Sequence, residues 1–218
     1  MIEFWEVLQR HLPEFVSGFL TTLKLVAAAF VIAVVVGTFI ASFRVAPSKA
    51  LNRIGAVYVE YFRNIPLLIL LFIIFYGLPA ELKIEETFAG IVGLGLYTAA
   101  YVAETIRSGV FAVGKGQIEA GLSLGFSYSN VLRRIVLPQA FRTVIPPLGS
   151  LTIAMIKNSA IIGGALAVGD LLHAARKVNS GTYQTNEAFF WAAVGYLILT
   201  VTATVIVRRL ETKLAIRR

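Results

Sequence analysis

Five long apolar stretches punctuate the chain, at residues 19–43, 57–79, 88–112, 139–165 and 188–207. Each is long enough to cross the hydrocarbon of a bilayer, which takes about 20 helical residues for about 30 Å. The pattern predicts an all-α membrane protein with five transmembrane helices in a single domain over residues 1–218. Ahead of the first span, Ile2, Trp5, Leu8, Leu12 and Phe15 recur at helical spacing. That spacing predicts a helix lying on the membrane surface with Trp5 at headgroup level, a frayed terminus being the alternative. Glu3, Glu6 and Glu14 stand where a signal peptide would carry basic residues, so this segment is expected to remain in the mature protein.

Composition agrees with a bilayer. Hydrophobic residues make up 57% and charged ones 15%, with a mean hydropathy of +0.78, which leaves too little polar surface to cover a soluble globule. The net charge of +8 would suit nucleic acid if it were clustered. Its distribution points elsewhere. With residues 116–137 placed in the cytoplasm, fourteen of the 20 Lys and Arg residues fall in inside segments, five fall outside and Lys157 lies within a span. That asymmetry follows the positive-inside rule and predicts an external amino terminus and a cytoplasmic carboxyl terminus. No nucleic-acid partner is expected.

The chain has no cysteine, which excludes disulfides and thiolate chemistry. His11 and His173 have no ligand-spaced neighbours, so no metal site is expected, and no set of nucleophile, base and orienting group suggests catalysis. The run Gly109–Gly116 satisfies GxxxxGK but lacks the Ser or Thr that a phosphate-binding loop needs on Mg²⁺, and it ends a span instead of joining a strand to a helix.

Polar groups inside spans are the candidate chemistry, because a charge at that depth is costly unless it faces protein or water. Glu60, Arg63 and Asn64 share a helix face, where Glu60 pairs with Arg63 or the side chains reach for the boundary. Tyr97, Tyr101, Glu104 and Ser108 form one polar stripe. It either lines a translocation path or joins helices through the tyrosine hydroxyls and a Glu104–Arg107 pair. In the fourth span Lys157-Asn158-Ser159 sits near mid-membrane, and the ammonium needs an anion, either a substrate or Glu104. Pro146-Pro147 and Gly163-Gly164 are expected to hinge this helix on both sides of its polar centre, which would suit alternating access.

Between the third and fourth spans lies the polar stretch GQIEAGLSLGFSYSNVLRRIVLP. It predicts a helix near 117–124, a turn at Gly125-Phe126 and a second helical piece from Ser129, capped by Ser127 or Ser129. Gly121 and Gly125, four apart, would leave one helix face bare for a partner. Glu119-Ala120-Gly121, then Gly125, Ile135 and Leu137-Pro138, resemble the EAA loop of bacterial ABC importer permeases, with Gly121 where alanine is usual. The order of GFLTTLKL, YVEYFRNIPLLILL, YTAAYVAETIRSGV, LPQAFR and KNSAIIGG resembles the five-span polar amino-acid permeases over nearly the whole chain.

The resemblance implies a type I, MetI-like fold with a cytoplasmic coupling helix, in which Glu119, Ala120, Gly121, Gly125 and Pro138 would engage an ATPase subunit. Tyr97, Tyr101, Glu104, Lys157, Asn158 and Ser159 would line the substrate path. It also implies two ABC ATPase subunits that bind ATP and Mg²⁺, a second permease subunit, identical or not, and an extracytoplasmic amino-acid-binding protein. The setting would be the bacterial cytoplasmic membrane, with no cofactor in this chain. The RNIP and KNS passages look more like glutamate, aspartate or glutamine permeases than like those for arginine or histidine, where an acidic residue often follows the lysine. Asn158 there favours an anionic or neutral substrate on electrostatic grounds. An ion-coupled secondary transporter, a permease for a basic amino acid and a structural membrane subunit are the alternatives.

Overall fold

A computed structural model describes residues 4–79, 81 and 84–214, so Ile2 and Glu3 of the expected surface helix lie outside the described residues. Among the described residues the structure is helical, with no strand. The helices are α1 (Phe4–Val45), α2 (Lys49–Asn64), α3 (Leu67–Tyr76), α4 (Glu86–Ala112), α5 (Lys115–Ser123), α6 (Tyr128–Val131), α7 (Leu137–Leu166), α8 (Leu171–Thr182) and α9 (Thr185–Leu214).

The expected surface helix is instead the first part of α1, which runs on into the first span with a break in helical geometry at His11 and Pro13 just beyond it. Its apolar face does not lie free in the lipid boundary. Val7 and Phe15 are buried against Ala174, Ala175, Val178, Ala188 and Ala192 of α8 and α9. The Trp191 indole N–H donates to the Phe4 carbonyl at 2.7 Å, and Trp5 meets Trp191 edge-on.

The second apolar run is not one straight span. Ile65, preceding Pro66, adopts an extended conformation (φ −96°, ψ 135°), as the proline ring demands of its predecessor. The axis turns by 102° between α2 and α3 there. Val59 packs beside Ala103 near one end of α4 and Leu71 rests on Gly93 towards the other, so the bent pair covers the depth of one crossing. Counted so, the spans number up to five among the described residues.

Helix α4 is the centre of the bundle. A Cβ at Gly37 of α1 would meet Val102 at 2.6 Å, and one at Gly95 of α4 would meet Ile32 at 2.8 Å, so bare backbones let α1 and α4 cross closely. Leu25, Leu71, Leu94, Met155, Ile162 and Leu171 fill the main core. Large exposed apolar side chains such as Val31, Val35 and Phe39 on α1, and Leu197, Val201 and Val205 on α9, form the faces suited to lipid.

Candidate functional site

Two polar regions and one loop carry the candidate residues. The loop begins where α4 ends at Ala112 and continues directly into α5, so Gly109–Gly116 joins helix to helix and has no strand context for phosphate binding. Helix α5 stops at Ser123 because Gly125 turns the chain with φ +81°, a conformation that favours glycine. The Phe126 N–H returns to the Gly121 carbonyl at 3.2 Å, and the Ser127 hydroxyl accepts from the Asn130 N–H at 3.4 Å. The helix–turn–helix expected of this stretch is present. Leu132–Val136 forms a turn of wider π-helical geometry just before Pro138, whose ring lacks an N–H and crowds the preceding turn.

One expectation for the loop is corrected. Gly121 does not offer a bare face to a partner, since it is buried, and a Cβ there would lie 2.8 Å from Val131 Cγ2 and 3.1 Å from Ile135 Cδ1. Its missing side chain lets α5 close onto the following helix. Gly125 is in the open. The outward surface consists of Glu119, Ala120, Leu122, Leu124 and Phe126, with Leu124 78% exposed. Exposed apolar side chains grouped on a polar loop indicate a protein contact. The sequence reading missed Leu122, Leu124 and Phe126 because it attended to the glycines.

The second region lies among α2, α4 and α7. Tyr97 and Tyr101 share a hydrogen bond of 3.1 Å between hydroxyls. Glu104 accepts from Arg107 Nε at 3.0 Å and pairs with Arg44 at 3.5 Å, while Arg44 is held at its carbonyl by Asn52 at 2.6 Å. Glu60 forms no ion pair with Arg63 among the described residues. The Asn64 amide donates to the Glu60 carbonyl, and the Arg63 guanidinium lies over the Tyr101 ring, 5.3 Å from its centre. Arg63, Tyr101, Glu104, Ser108, Thr143 and Pro147 line a cavity of about 350 Å³. The Tyr97–Tyr101 and Glu104–Arg107 contacts lie within α4, so the join between helices comes from Arg44 of α1, while Tyr101, Glu104 and Ser108 face the void.

Lys157 is exposed and makes no ion pair among the described residues, so the alternative pairing with Glu104 is not formed. Depth explains this. Ile162 of α7 packs on Gly90 of α4, which puts Lys157 roughly 8 Å and Glu104 roughly 21 Å along their helices from that level at 1.5 Å per residue. Asn158 is half-buried, and Ser159 is buried with its hydroxyl on the Ile156 carbonyl at 2.8 Å. Pro146 and Pro147 remain inside α7. The outer end of that helix is not the loose hinge expected of Gly163-Gly164. A Cβ at Gly163 would overlap the Asp170 carboxylate, and the Gly164 carbonyl accepts from Arg176 at 2.9 Å.

Asp170 was absent from the sequence candidates. It is fully buried, caps α8 by accepting the His173 N–H at 2.9 Å, and accepts the Tyr196 hydroxyl of α9 at 2.7 Å. Burial raises its pKa above the ordinary aspartate range, an effect the two hydrogen bonds partly offset. Its place just before an apolar-periodic helix was the available signal.

A membrane bundle with a polar void among its spans and a short helical hairpin exposing apolar side chains at one end is built as the membrane-spanning part of a transporter. The family profile described as "Binding-protein-dependent transport system inner membrane component" matches residues 33–216. The chain is 41% identical to the probable glutamine ABC transporter permease protein GlnM of Bacillus subtilis (strain 168), over 92% of this chain and 93% of that one. It is 33% identical to the arginine transport system permease protein ArtQ of the same organism, over 94% of each. A solved structure described as "Crystal structure of an amino acid ABC transporter with histidines" matches with a TM-score of 0.92 at 34% identity, covering 98% of this chain and 99% of that chain. The chain belongs to the polar amino-acid ABC transporter permease family, as a membrane-spanning subunit.

Proposed function

We propose that the chain moves glutamate, aspartate or glutamine by alternating access, driven by a separate ATPase that binds ATP and Mg²⁺ and grips α5. The observation that carries this is the exposed face of α7. Beyond its exposed Leu137 and Phe141, α7 presents Thr143, Pro147, Ser150 and Lys157 along one side, with half-buried Ala154 between them, and the same side borders the cavity at Glu104, whereas α1 and α9 present large apolar side chains outward. Small and polar residues suit a water-filled path or a second permease subunit better than lipid tails.

Electrostatics select the substrate class. Glu104 is engaged by Arg107 and Arg44, with Arg63 held on Tyr101 beside it, so the guanidiniums outnumber the carboxylate. Lys157 adds an exposed cation and Asn158 no compensating anion. Such a field favours a substrate with a neutral or anionic side chain. The GlnM relative is named for glutamine, whose side chain is neutral. The positive-inside distribution supports α5 in the cytoplasm and α8 outside, where an extracytoplasmic binding protein would deliver the amino acid.

The test is reconstitution of the subunit with its ATPase and permease partners in liposomes, followed by uptake of labelled glutamate, aspartate, glutamine and arginine. ATP-dependent uptake of the first three, abolished by Lys157→Ala in a complex that still assembles, is the expected result. Arginine uptake alone would overturn the substrate assignment. Uptake that survives removal of ATP at constant membrane potential would overturn the ATP-driven mechanism in favour of ion coupling.

A further inference from the structure

Helix α2 divides its surface in three. Gly55 and Val59 turn inward, Gly55 so closely that a Cβ there would meet Cδ of Arg44 on α1 at 3.1 Å, while Val59 packs with Ala103 of α4. Of the outward surface one flank is apolar, with Leu51, Ile54, Val57 and Tyr61 between 37% and 61% exposed. At about 3.6 residues per turn the other flank carries Lys49, Arg53, Glu60 and Asn64, all exposed. Lys49 and Arg53 stand one turn apart at the start of the helix and form no ion pair among the described residues. The Glu60 carboxylate lies about 10 Å further along the axis than Arg53, so the start of the helix presents cations alone. Arg44, the other cation at this corner, is engaged with Glu104. Where α1 meets α2 a cavity of about 400 Å³ opens, lined by Pro47, Ser48, Lys49, Asn52, Arg53 and Ala56. The turn that shapes it is fixed, since the Ser48 hydroxyl accepts the Leu51 N–H at 3.5 Å and the Asn52 amide donates to the Arg44 carbonyl at 2.6 Å. Apolar flank and basic pair thus lie side by side, as acyl chains and phosphates do at a bilayer boundary. The positive-inside distribution supports the cytoplasmic leaflet for this corner, the leaflet whose surface carries a negative potential.

We propose that the corner between α1 and α2 is a binding site for an anionic phospholipid, its phosphate held by Lys49 and Arg53 and its acyl chains laid along Leu51, Ile54, Val57 and Tyr61. Charge complementarity selects the occupant. A zwitterionic headgroup brings an ammonium of its own to the two cations, whereas an anionic one brings none, and each Lys or Arg near such a surface strengthens the attraction by about fivefold. The test places the photo-crosslinking residue benzoylphenylalanine at Val57, 61% exposed, and separately at Val35 of α1, 63% exposed and remote in sequence from any Lys or Arg. The full complex is reconstituted in vesicles of phosphatidylethanolamine and phosphatidylglycerol at about three to one and irradiated, and the adducts are identified by mass spectrometry. At Val57 the expected adduct is phospholipid, with the ratio of anionic to zwitterionic lipid raised about fivefold or more over the bulk, while Val35 stays within about twofold of it. The double substitution Lys49→Gln/Arg53→Gln is expected to bring Val57 back to the bulk ratio. Salt at about 0.5 M, where the Debye length falls to roughly 4 Å, is expected to lower the ratio in the parent as well, so the outcome does not hinge on assembly of the variant.

Adducts of Val57 with the ATPase or a second permease chain overturn the proposal, as does the absence of any adduct there while Val35 labels lipid. A bulk lipid ratio at Val57 in the parent overturns it too, and so does an enrichment that survives both the double substitution and salt. Neither amino acid nor nucleotide enters this readout, so its failure leaves the importer assignment standing.

Discussion

Placing a methyl group on Gly121 tests the coupling role of the cytoplasmic hairpin most directly. The new Cβ in Gly121→Ala would stand 2.8 Å from Val131 Cγ2 and 3.1 Å from Ile135 Cδ1, distances at which neighbours must move. Val131 is fully buried, so the side chain cannot swing into solvent, and Gly121 is the buried position by which α5 rests on its neighbour. Overpacking of this kind costs about 1–3 kcal/mol. At about 1.4 kcal/mol per tenfold, that shifts the docked hairpin towards a displaced one by about 5- to 140-fold. The expected outcome is an assembled complex that hydrolyses ATP but imports several-fold less amino acid per ATP consumed, measured as labelled uptake against phosphate release in the same vesicles. Val131→Ala removes the clashing methyls, so the double variant Gly121→Ala/Val131→Ala is expected to recover most of the ratio. An unchanged ratio in the single variant, or no recovery in the double, would refute the steric account of coupling.

The absence of cysteine makes topology easy to check. Leu124→Cys, on the hairpin, is expected to react with a membrane-impermeant maleimide only after permeabilisation, and Tyr183→Cys, beyond α8, to react in intact cells. For Asp170, the folded state raises the carboxyl pKa, so it binds the proton more readily than the unfolded chain does. Stability at this joint is therefore gained as pH falls through the raised pKa towards the ordinary aspartate range, and lost above it. Thermal unfolding of the parent relative to Asp170→Asn is expected to improve on acidification from neutral pH, with the neighbouring His173 and Tyr196 unchanged between the two. A difference that is flat with pH would contradict the burial account.

Much of the architecture was readable because bilayer thickness imposes a length on apolar runs and helical periodicity sorts their faces. The stripe Tyr97, Tyr101, Glu104 and Ser108 and the helix–turn–helix around Gly125 come from such local rules. What stayed hidden depended on partners far away in the chain. Arg44 is 60 residues from the Glu104 it pairs with, and Trp191 is 187 from the Phe4 carbonyl it binds, so neither contact is written in local spacing. The inward turn of Gly121 required knowing that the chain doubles back at Val131. The bend at Ile65-Pro66 is an instructive miss, because the proline was visible, yet an unbroken apolar run on either side outweighed it.

That bend bears on how the subunit is made. Helix α3, ten residues long, reaches only about 15 Å at 1.5 Å per residue and cannot cross a bilayer by itself. Its support on α4, Gly93 beneath Leu71, and the Leu96 carbonyl that takes the Tyr58 hydroxyl of the preceding α2, are synthesised later. At about 5–20 residues per second, they arrive only a few seconds after α3 has left the ribosome. During that interval the insertion machinery meets residues 57–79 as one apolar stretch with no reason to bend beyond its proline. The extended Ile65 is set locally by Pro66, but the seat of Leu71 on Gly93 exists only once α4 has been made, so the packed form of the bent pair requires α4.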